Sequence, residues 1–180
     1  LSPVNWWRMG DNDGASGTTI TDQGSGSNDA TLTNGPTFST EVPYVLPSIT
    51  NAYSLSFDGT DDYLLMGSSA INLDTNFTMS AWFKPDTAAL SGYDFMAGWG
   101  NSSSGQSRVM QILNSKLSFE IYLSRVSGST TLVAGAWYHG VVTFSGNNVE
   151  IFLNGSSDGT GTLSRVSLSS SATFVGGTAA

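Results

Sequence analysis

Apolar and polar residues alternate with a period of two along most of this chain, and Gly, Asn, Asp and Ser clusters interrupt the alternation at short intervals. Side chains of a strand point to alternate faces, so this pattern predicts strands with one buried face. Tyr53, Leu55 and Phe57 alternate with Ser54, Ser56 and Asp58. Over 77–84, Phe77, Met79, Ala81 and Phe83 share one face, Thr78, Ser80, Trp82 and Lys84 share the other, and Pro85 ends the run. Further strands are predicted over 4–8, 30–33, 63–66, 93–99, 108–113, 116–123, 130–134, 137–145, 148–154 and 171–176. Ser145-Gly146-Asn147-Asn148 and Asn154-Gly155 read as hairpin turns. No window carries the period of a helix. Strands without helices pack as two antiparallel sheets, so the fold class is all-β, a sandwich with no significant helix.

The length of 180 residues fits one domain, since a single core can grow to about 250 residues. Residues 1–50 read as an N-terminal strand followed by a turn-rich arm lying over the sandwich. The arm carries Asp11, Gly14, Gly17, Gly24, Gly26, Asn34-Gly35, Pro36, Pro43 and Pro47, and too few apolar residues for a core of its own. Composition then removes several classes of function. With 6 basic residues against 14 acidic ones and a net charge of −8, the chain cannot build a phosphate-tracking patch, so nucleic acid is not an expected partner. No apolar run approaches the roughly 18 residues of a spanning helix, so membrane insertion is not expected. The absence of cysteine removes disulfides, thiolate nucleophiles and zinc–thiolate sites.

Several short motifs follow one another along the chain: Trp7, Asp22 through Gly26, Asn28-Asp29-Ala30-Thr31-Leu32, Asn34-Gly35-Pro36, and Leu55-Ser56-Phe57-Asp58-Gly59-Thr60-Asp61-Asp62-Tyr63. Phe77-Thr78-Met79-Ser80-Ala81-Trp82-Phe83-Lys84-Pro85, Trp137-Tyr138-His139, Val149 through Gly155 and Phe174-Val175-Gly176-Gly177 complete the set. In this order they resemble a laminin-G-like module of the concanavalin A-like jelly-roll superfamily. The resemblance implies a two-sheet antiparallel jelly roll. The opening Trp6-Trp7-Arg8-Met9-Gly10-Asp11 is similar to modules in virion proteins of tailed phages, particularly marine ones. The family closes with one more strand after the position of Gly177. Its absence implies either a chain that continues further or a neighbouring chain that completes the sheet by strand addition.

Glycosidases share this scaffold and need two carboxyl groups about 5–5.5 Å or 6.5–9.5 Å apart. The chain offers Glu41, Glu120 and Glu150, far apart in sequence; Glu120 and Glu150 stand opposite apolar residues on their predicted strands and could face one groove, with two solvated strand positions as the plainer reading. No nucleophile-elbow pattern flanks any serine, and His139, the single histidine, lies on the face of Trp137 as a packed residue. The chain is therefore expected to be no enzyme. Calcium is the one expected cofactor, since it takes six to eight oxygens. The candidate ligands are the acidic loop Asp58, Asp61 and Asp62, and the Gly-rich loop with Asp22, Asn28 and Asp29; the resemblance implies calcium loops of this sort. Asp11-Asn12-Asp13-Gly14 lacks the later acidic positions of an EF-hand. Carbohydrate recognition needs an exposed aromatic platform beside polar side chains. Trp82, Trp99 with Asn101 in a Gly-rich stretch, and Tyr122 with Glu120 are the candidates, with packing as the plainer reading of each. The expected function is a structural or adhesion module on a virion surface or otherwise extracellular. It would pack against other virion proteins or copies of itself and hold host-surface glycans. A secreted or cell-surface carbohydrate-binding module is the alternative, and a glycoside hydrolase the third.

Overall fold

The computed structural model describes residues 2–43, 51–66, 76–99, 107–164 and 173–176. Its strands are β1 (Thr19–Ile20), β2 (Ala30–Thr33), β3 (Thr37–Ser39), β4 (Ser54–Ser56), β5 (Tyr63–Met66), β6 (Phe77–Phe83) and β7 (Tyr93–Trp99). They continue as β8 (Arg108–Leu113), β9 (Lys116–Ile121), β10 (Ser124–Ser127), β11 (Tyr138–Ser145), β12 (Asn148–Leu153), β13 (Ser156–Thr162) and β14 (Thr173–Val175). The larger sheet runs β1-β2-β5-β14-β7-β8-β9-β10, the smaller one β13-β12-β11-β6, and β3 pairs with β4 on its own. Every pairing is antiparallel. This is the all-β sandwich that the alternation predicts, with no helix among the described residues.

The alternating apolar rows meet between the sheets. Val142, Phe144, Val149, Ile151 and Leu153 of the smaller sheet pack on Met110, Ile112, Leu117, Phe119 and Ile121 of the larger one. Phe77 joins them, with the rings of Trp99, Phe144 and Phe119 at 5.2, 5.4 and 5.9 Å from its own. A second cluster of Ile20, Ala30, Leu64 and Met66 receives Trp7, Met9, Phe38, Leu55 and Phe57, so the arm is anchored by its own apolar residues. Trp7 turns inward, while Trp6 stays exposed under the guanidinium of Arg8, 5.7 Å from its ring.

Three predicted strands differ from what forms, and β13 forms where none is predicted. The strand expected over 4–8 shrinks to one bridge, Trp7 to Asp22, because the backbone N–H of Trp6 donates to the Asp22 carboxylate (2.7 Å) instead of a ladder. The run 116–123 is two strands and a turn: Tyr122 and Leu123 sit at φ 31° and 61° between the closing pair Ile121 and Ser124. A type I′ two-residue hairpin needs positive φ at both central positions, and Tyr-Leu gives no sign of it in sequence. Residues 130–134 are not a strand; Leu132 donates its N–H to Ser115 O at 2.8 Å and inserts its side chain into the core. Conversely β13, Ser-Ser-Asp-Gly-Thr-Gly-Thr, has no apolar alternation and forms because the Asn154-Gly155 turn feeds it onto β12. Residues 44–50 of the arm, 171–172 of the last predicted strand and the chain beyond Gly176 lie outside the described residues.

Glycines let β13 fold against β10 and close one side of the sandwich. A Cβ on Gly159 would lie 2.7 Å from the Ser127 carbonyl oxygen, and one on Gly161 2.6 Å from Val126 Cγ2. Asp158 ties the same seam. Its Oδ1 accepts from Ser129 Oγ (3.1 Å), Thr130 N (3.0 Å) and Thr130 Oγ1 (2.6 Å), and Ser129 N donates to its carbonyl at 2.9 Å. Burial alone would raise this carboxyl, but the donors of Thr130 and Ser129 outweigh it and hold the group below its ordinary value.

Two stability measurements follow from this seam. Gly159→Ala must push the strands apart against backbone, and denaturant titration should show a loss of about 1–3 kcal/mol. Asp158→Asn should lose about 1–2 kcal/mol at neutral pH. A depressed carboxyl contributes stability above its unfolded value near 3.8, lost as pH falls through the lower folded value. The gap between wild type and Asp158→Asn should thus stay constant from pH 7 to about 4 and close below.

Candidate functional site

The outward row of β6 carries one large aromatic, Trp82, among Thr78 and Ser80. In the β6–β11 register Trp82 stands directly opposite His139. Facing residues of neighbouring strands project to the same side, and the two rings stack at 5.0 Å with 28° between planes. Trp82 keeps 44% of its surface exposed. Trp137, one position before β11, lies beside them with Lys84 Nζ at 6.0 Å from its ring, and Lys84 is ion-paired to Glu41. The Asn154-Gly155 turn supplies the polar edge. Asn154 donates its N–H to His139 O (2.8 Å) and accepts the His139 N–H on Oδ1 (2.9 Å), and among the described residues its amide Nδ2 has no partner. Trp82, Trp137, His139, Asn154 and Gly155 line a shallow depression of about 500 Å³. Burial lowers His139 from its ordinary value of 6.5, so the ring is neutral at pH 7. The depression therefore offers a flat, uncharged aromatic surface beside an amide donor, the combination that receives the C–H face and hydroxyls of a sugar.

The two acidic loops divide. The carboxylates of Asp58, Asp61 and Asp62 bring one oxygen each within 4.8 Å of one another. Asp62 Oδ2 accepts the Asp58 N–H at 3.0 Å, Asp58 Oδ1 accepts the Thr60 N–H at 2.7 Å, and Asn34 donates to the Asp61 carbonyl at 2.9 Å. Oxygens bound to one Ca²⁺ at about 2.3–2.6 Å stand at most about 5 Å apart, so this loop fits the ion. Around Asp22 the oxygens already have partners: Oδ1 accepts from Trp6 N (2.7 Å) and Gly24 N (2.8 Å), and Oδ2 from Asn28 N (2.9 Å). Asp29 Oδ1 accepts the Asp22 N–H at 3.0 Å, and Asn28 donates to Asn5 Oδ1 at 2.7 Å. Asp22, Asn28 and Asp29 thus come together as a staple that holds the start of the arm.

The remaining candidates do not converge on Trp82. Trp99 ends β7 rather than standing in a loop, is 3% exposed, and packs edge-on against Phe77, so it cannot act as a platform. Asn101 lies outside the described residues. Tyr122 is in the β9–β10 turn, and Glu120 projects from the outer face of the larger sheet, since Leu117, Phe119 and Ile121 take the inner row of β9. Glu150 projects from the outer face of the smaller sheet, opposite the inner row of Val149, Ile151 and Leu153. Packed sheets lie roughly 10 Å apart, and carboxylates pointing away from each other across them exceed the 9.5 Å limit of a glycosidase pair. The groove shared by Glu120 and Glu150 does not exist. Trp137, His139 and Asn154 complete the platform; alternation already put Trp82 outward and Trp137 beside His139, and only the strand register was missing.

No curated protein matches the sequence. Among solved structures, the chain is similar to domain 4 of AbnA, a GH43 extracellular arabinanase from Geobacillus stearothermophilus, in complex with arabinotriose: 13% identity, TM-score 0.69, 97% of this chain and 85% of that one. It is also similar to the binding domain of botulinum neurotoxin serotype D, with 13% identity, TM-score 0.59, and coverage of 87% of this chain and 40% of that one. The enzymatically active domain of tailspike protein 2 of bacteriophage CBA120 follows at 18% identity and TM-score 0.53, over 81% of this chain and 25% of that one. The chain thus spans less than half of the toxin domain and a quarter of the tailspike domain. At such identities the likeness is one of fold. Residues 58–180 match the sequence model of the concanavalin A-like lectin/glucanases superfamily, in agreement with the motifs and with the sandwich built from them. The chain belongs to the concanavalin A-like lectin/glucanases superfamily.

Proposed function

We propose that this sandwich is a non-catalytic glycan-binding module of a virus particle surface, a capsid decoration or tail component that packs against neighbouring virion proteins or its own copies. The observation that carries the glycan half is the exposed Trp82, stacked on His139 and edged by Trp137 and Asn154. The virion half is supported by the phage-like opening of the sequence and by the exposed Val4 and Trp6 on the arm, which offer apolar surface to a neighbour. The separation of Glu120 from Glu150 supports a binding rather than hydrolytic role. A second reading, a secreted or cell-surface carbohydrate-binding module, is favoured by the arabinanase domain, which aligns over 85% of its length and was solved with arabinotriose. Calcium belongs to either reading. Asp58, Asp61 and Asp62 would hold it, and its charge would fix the loop that enters β5.

A glycan array screened with and without calcium should return ligands that wild type binds and Trp82→Ala does not. Removing a central tryptophan costs roughly 2 kcal/mol or more, so titration should show at least about thirtyfold weaker binding. Because His139 is lowered by burial, its neutral form prevails above pH 6.5. Affinity should be flat from pH 7 upward and change only as the ring charges at lower pH. Purified protein incubated with β-glucan should release no reducing sugar, and hydrolysis lost on replacing Glu120 or Glu150 would overturn the reading. Calcium at a hundred times its Kd should raise the unfolding free energy by about 2.7 kcal/mol, and Asp61→Asn should abolish the gain in calorimetry.

A further inference from the structure

The outer face of the larger sheet, opposite the Trp82 platform, holds a buried oxygen without a donor. Gln111 lies on the outward row of β8, between the inward Met110 and Ile112, yet it is 0% exposed. What passes over it is a pair of long side chains. Arg125 of β10 donates from Nη1 to Tyr93 Oη of β7 at 2.8 Å, and its guanidinium carbon lies 5.3 Å from the Tyr93 ring. Sheet order puts β8 and β9 between these two strands, a span of about 14 Å at the usual strand spacing, so the contact arches across Gln111. Beneath it, Glu120 Oε2 accepts from Gln111 Nε2 (3.2 Å) and is ion-paired with Arg125 Nη2 (3.3 Å), while Oε1 accepts the Leu123 N–H at 3.3 Å. Ser118 and Ser127 hydroxyls bond each other at 2.8 Å. Among the described residues Gln111 Oε1 is left buried with no hydrogen-bond partner, a state that calls for an explanation because buried polar atoms are nearly always satisfied.

The inventory of this face leans to acceptors. Leu123 N–H and one N–H of Gln111 donate to Glu120 and Ser118 donates to Ser127, so one Gln111 N–H and the Ser127 hydroxyl stand beside a larger acceptor and π surface: Gln111 Oε1, the Glu120 carboxylate and the Tyr93 ring. A planar cation suits such a lining, and Arg125 already occupies it. We propose that this face is a receptor for a guanidinium group, filled by Arg125 in the free protein and open to an arginine side chain of a basic partner protein. Displacement is easy. Arg125 and Tyr93 are 30% and 55% exposed, and ion pairs at that exposure contribute little. An incoming guanidinium carries five N–H donors in a fixed fork. It can pair with Glu120, lie on Tyr93 and reach Gln111 Oε1, the bond that Arg125, tethered to its own strand, does not make. Lysine lacks both the plane and the fork. The net charge of −8 draws a basic partner to the face.

The test is calorimetric titration of the whole protein with arginine amide, with lysine amide and a neutral oligosaccharide as comparison arms. Arg125→Gln, by emptying the receptor, should bind arginine amide about tenfold more tightly than wild type, the internal competitor being gone. Adding Glu120→Gln should remove that binding, and lysine amide should bind more weakly throughout. Should Arg125→Gln not fold, Arg125→Lys keeps the charge without the fork and should also bind arginine amide more tightly than wild type. Equal affinity of wild type and both Arg125 variants overturns the proposal. So does binding that survives Glu120→Gln, which would mark attraction by net charge alone, or lysine amide matching arginine amide. A neutral sugar that binds this face where arginine amide does not overturns the choice of ligand class.

Discussion

The register of β11 between β6 and β12 is the constraint on which the rest depends. Side chains of a strand alternate strictly between faces, so a slip of one residue exchanges the two sides of the whole strand. In the observed register Val142 and Phe144 enter the core, while His139 faces Trp82 and Thr143 faces Glu150. A slip would drive the row of His139, Val141, Thr143 and Ser145 inward and strip Phe77 of its contact with Phe144. The core thus fixes the register, since only one register buries both apolar rows. The platform follows from it: no interaction among Trp82, His139 and Asn154 has to hold the strands in place. Because the stack stands on paired strands rather than on a loop, its geometry is set before any ligand arrives.

Much of this was legible from residue order alone. The strands predicted over 93–99 and 108–113 appear with those limits, the one predicted over 77–84 ends one residue earlier, and Pro85 and Asn154-Gly155 act as the punctuation they suggest. What stayed illegible has a common physical origin. Tyr122 and Leu123 turn the chain because the flanking strands pair, not because of their own preference. The β13 segment is a strand because β12 and β10 hold it on two sides. Trp99 closes a predicted strand in a Gly-rich stretch and looked like an exposed platform, and only the meeting of β7 with β6 shows it to be core. The site failed in the same way: pairing of distant strands brings His139 to Trp82 and separates Glu120 from Glu150. At Asp22 the converse holds: a ligand-like cluster of Asp and Asn is engaged by backbone donors of its own loop and of Trp6.

The two outer faces are chemically unlike. The smaller sheet presents flat rings with an amide at one end and threonines at the other, and its histidine is held neutral by partial burial. The larger sheet presents a carboxylate network drawn shut by an arginine and a tyrosine. A sandwich isolates such surfaces from each other because its interior is dry and closely packed, so each can change side chains without disturbing the other. That independence explains how one scaffold can carry unrelated binding surfaces.

The place of β14 has a consequence for how the molecule comes into being. This short strand, from near the end of the sequence, lies between β5 and β7, with Val175 opposite both Leu64 and Ala97. Until it arrives, β1-β2-β5 and β7-β8-β9-β10 are two half-sheets, each with a bare edge and an uncovered apolar row. A ribosome must therefore have released β14, more than a hundred residues after β5, before the larger sheet can close. Contacts so distant in sequence slow folding and leave strand edges open to other chains in the meantime. Crowded nascent copies of this chain would meet through those edges, and dilution or a chaperone that shields them would matter more to its yield than the stability of the finished sandwich.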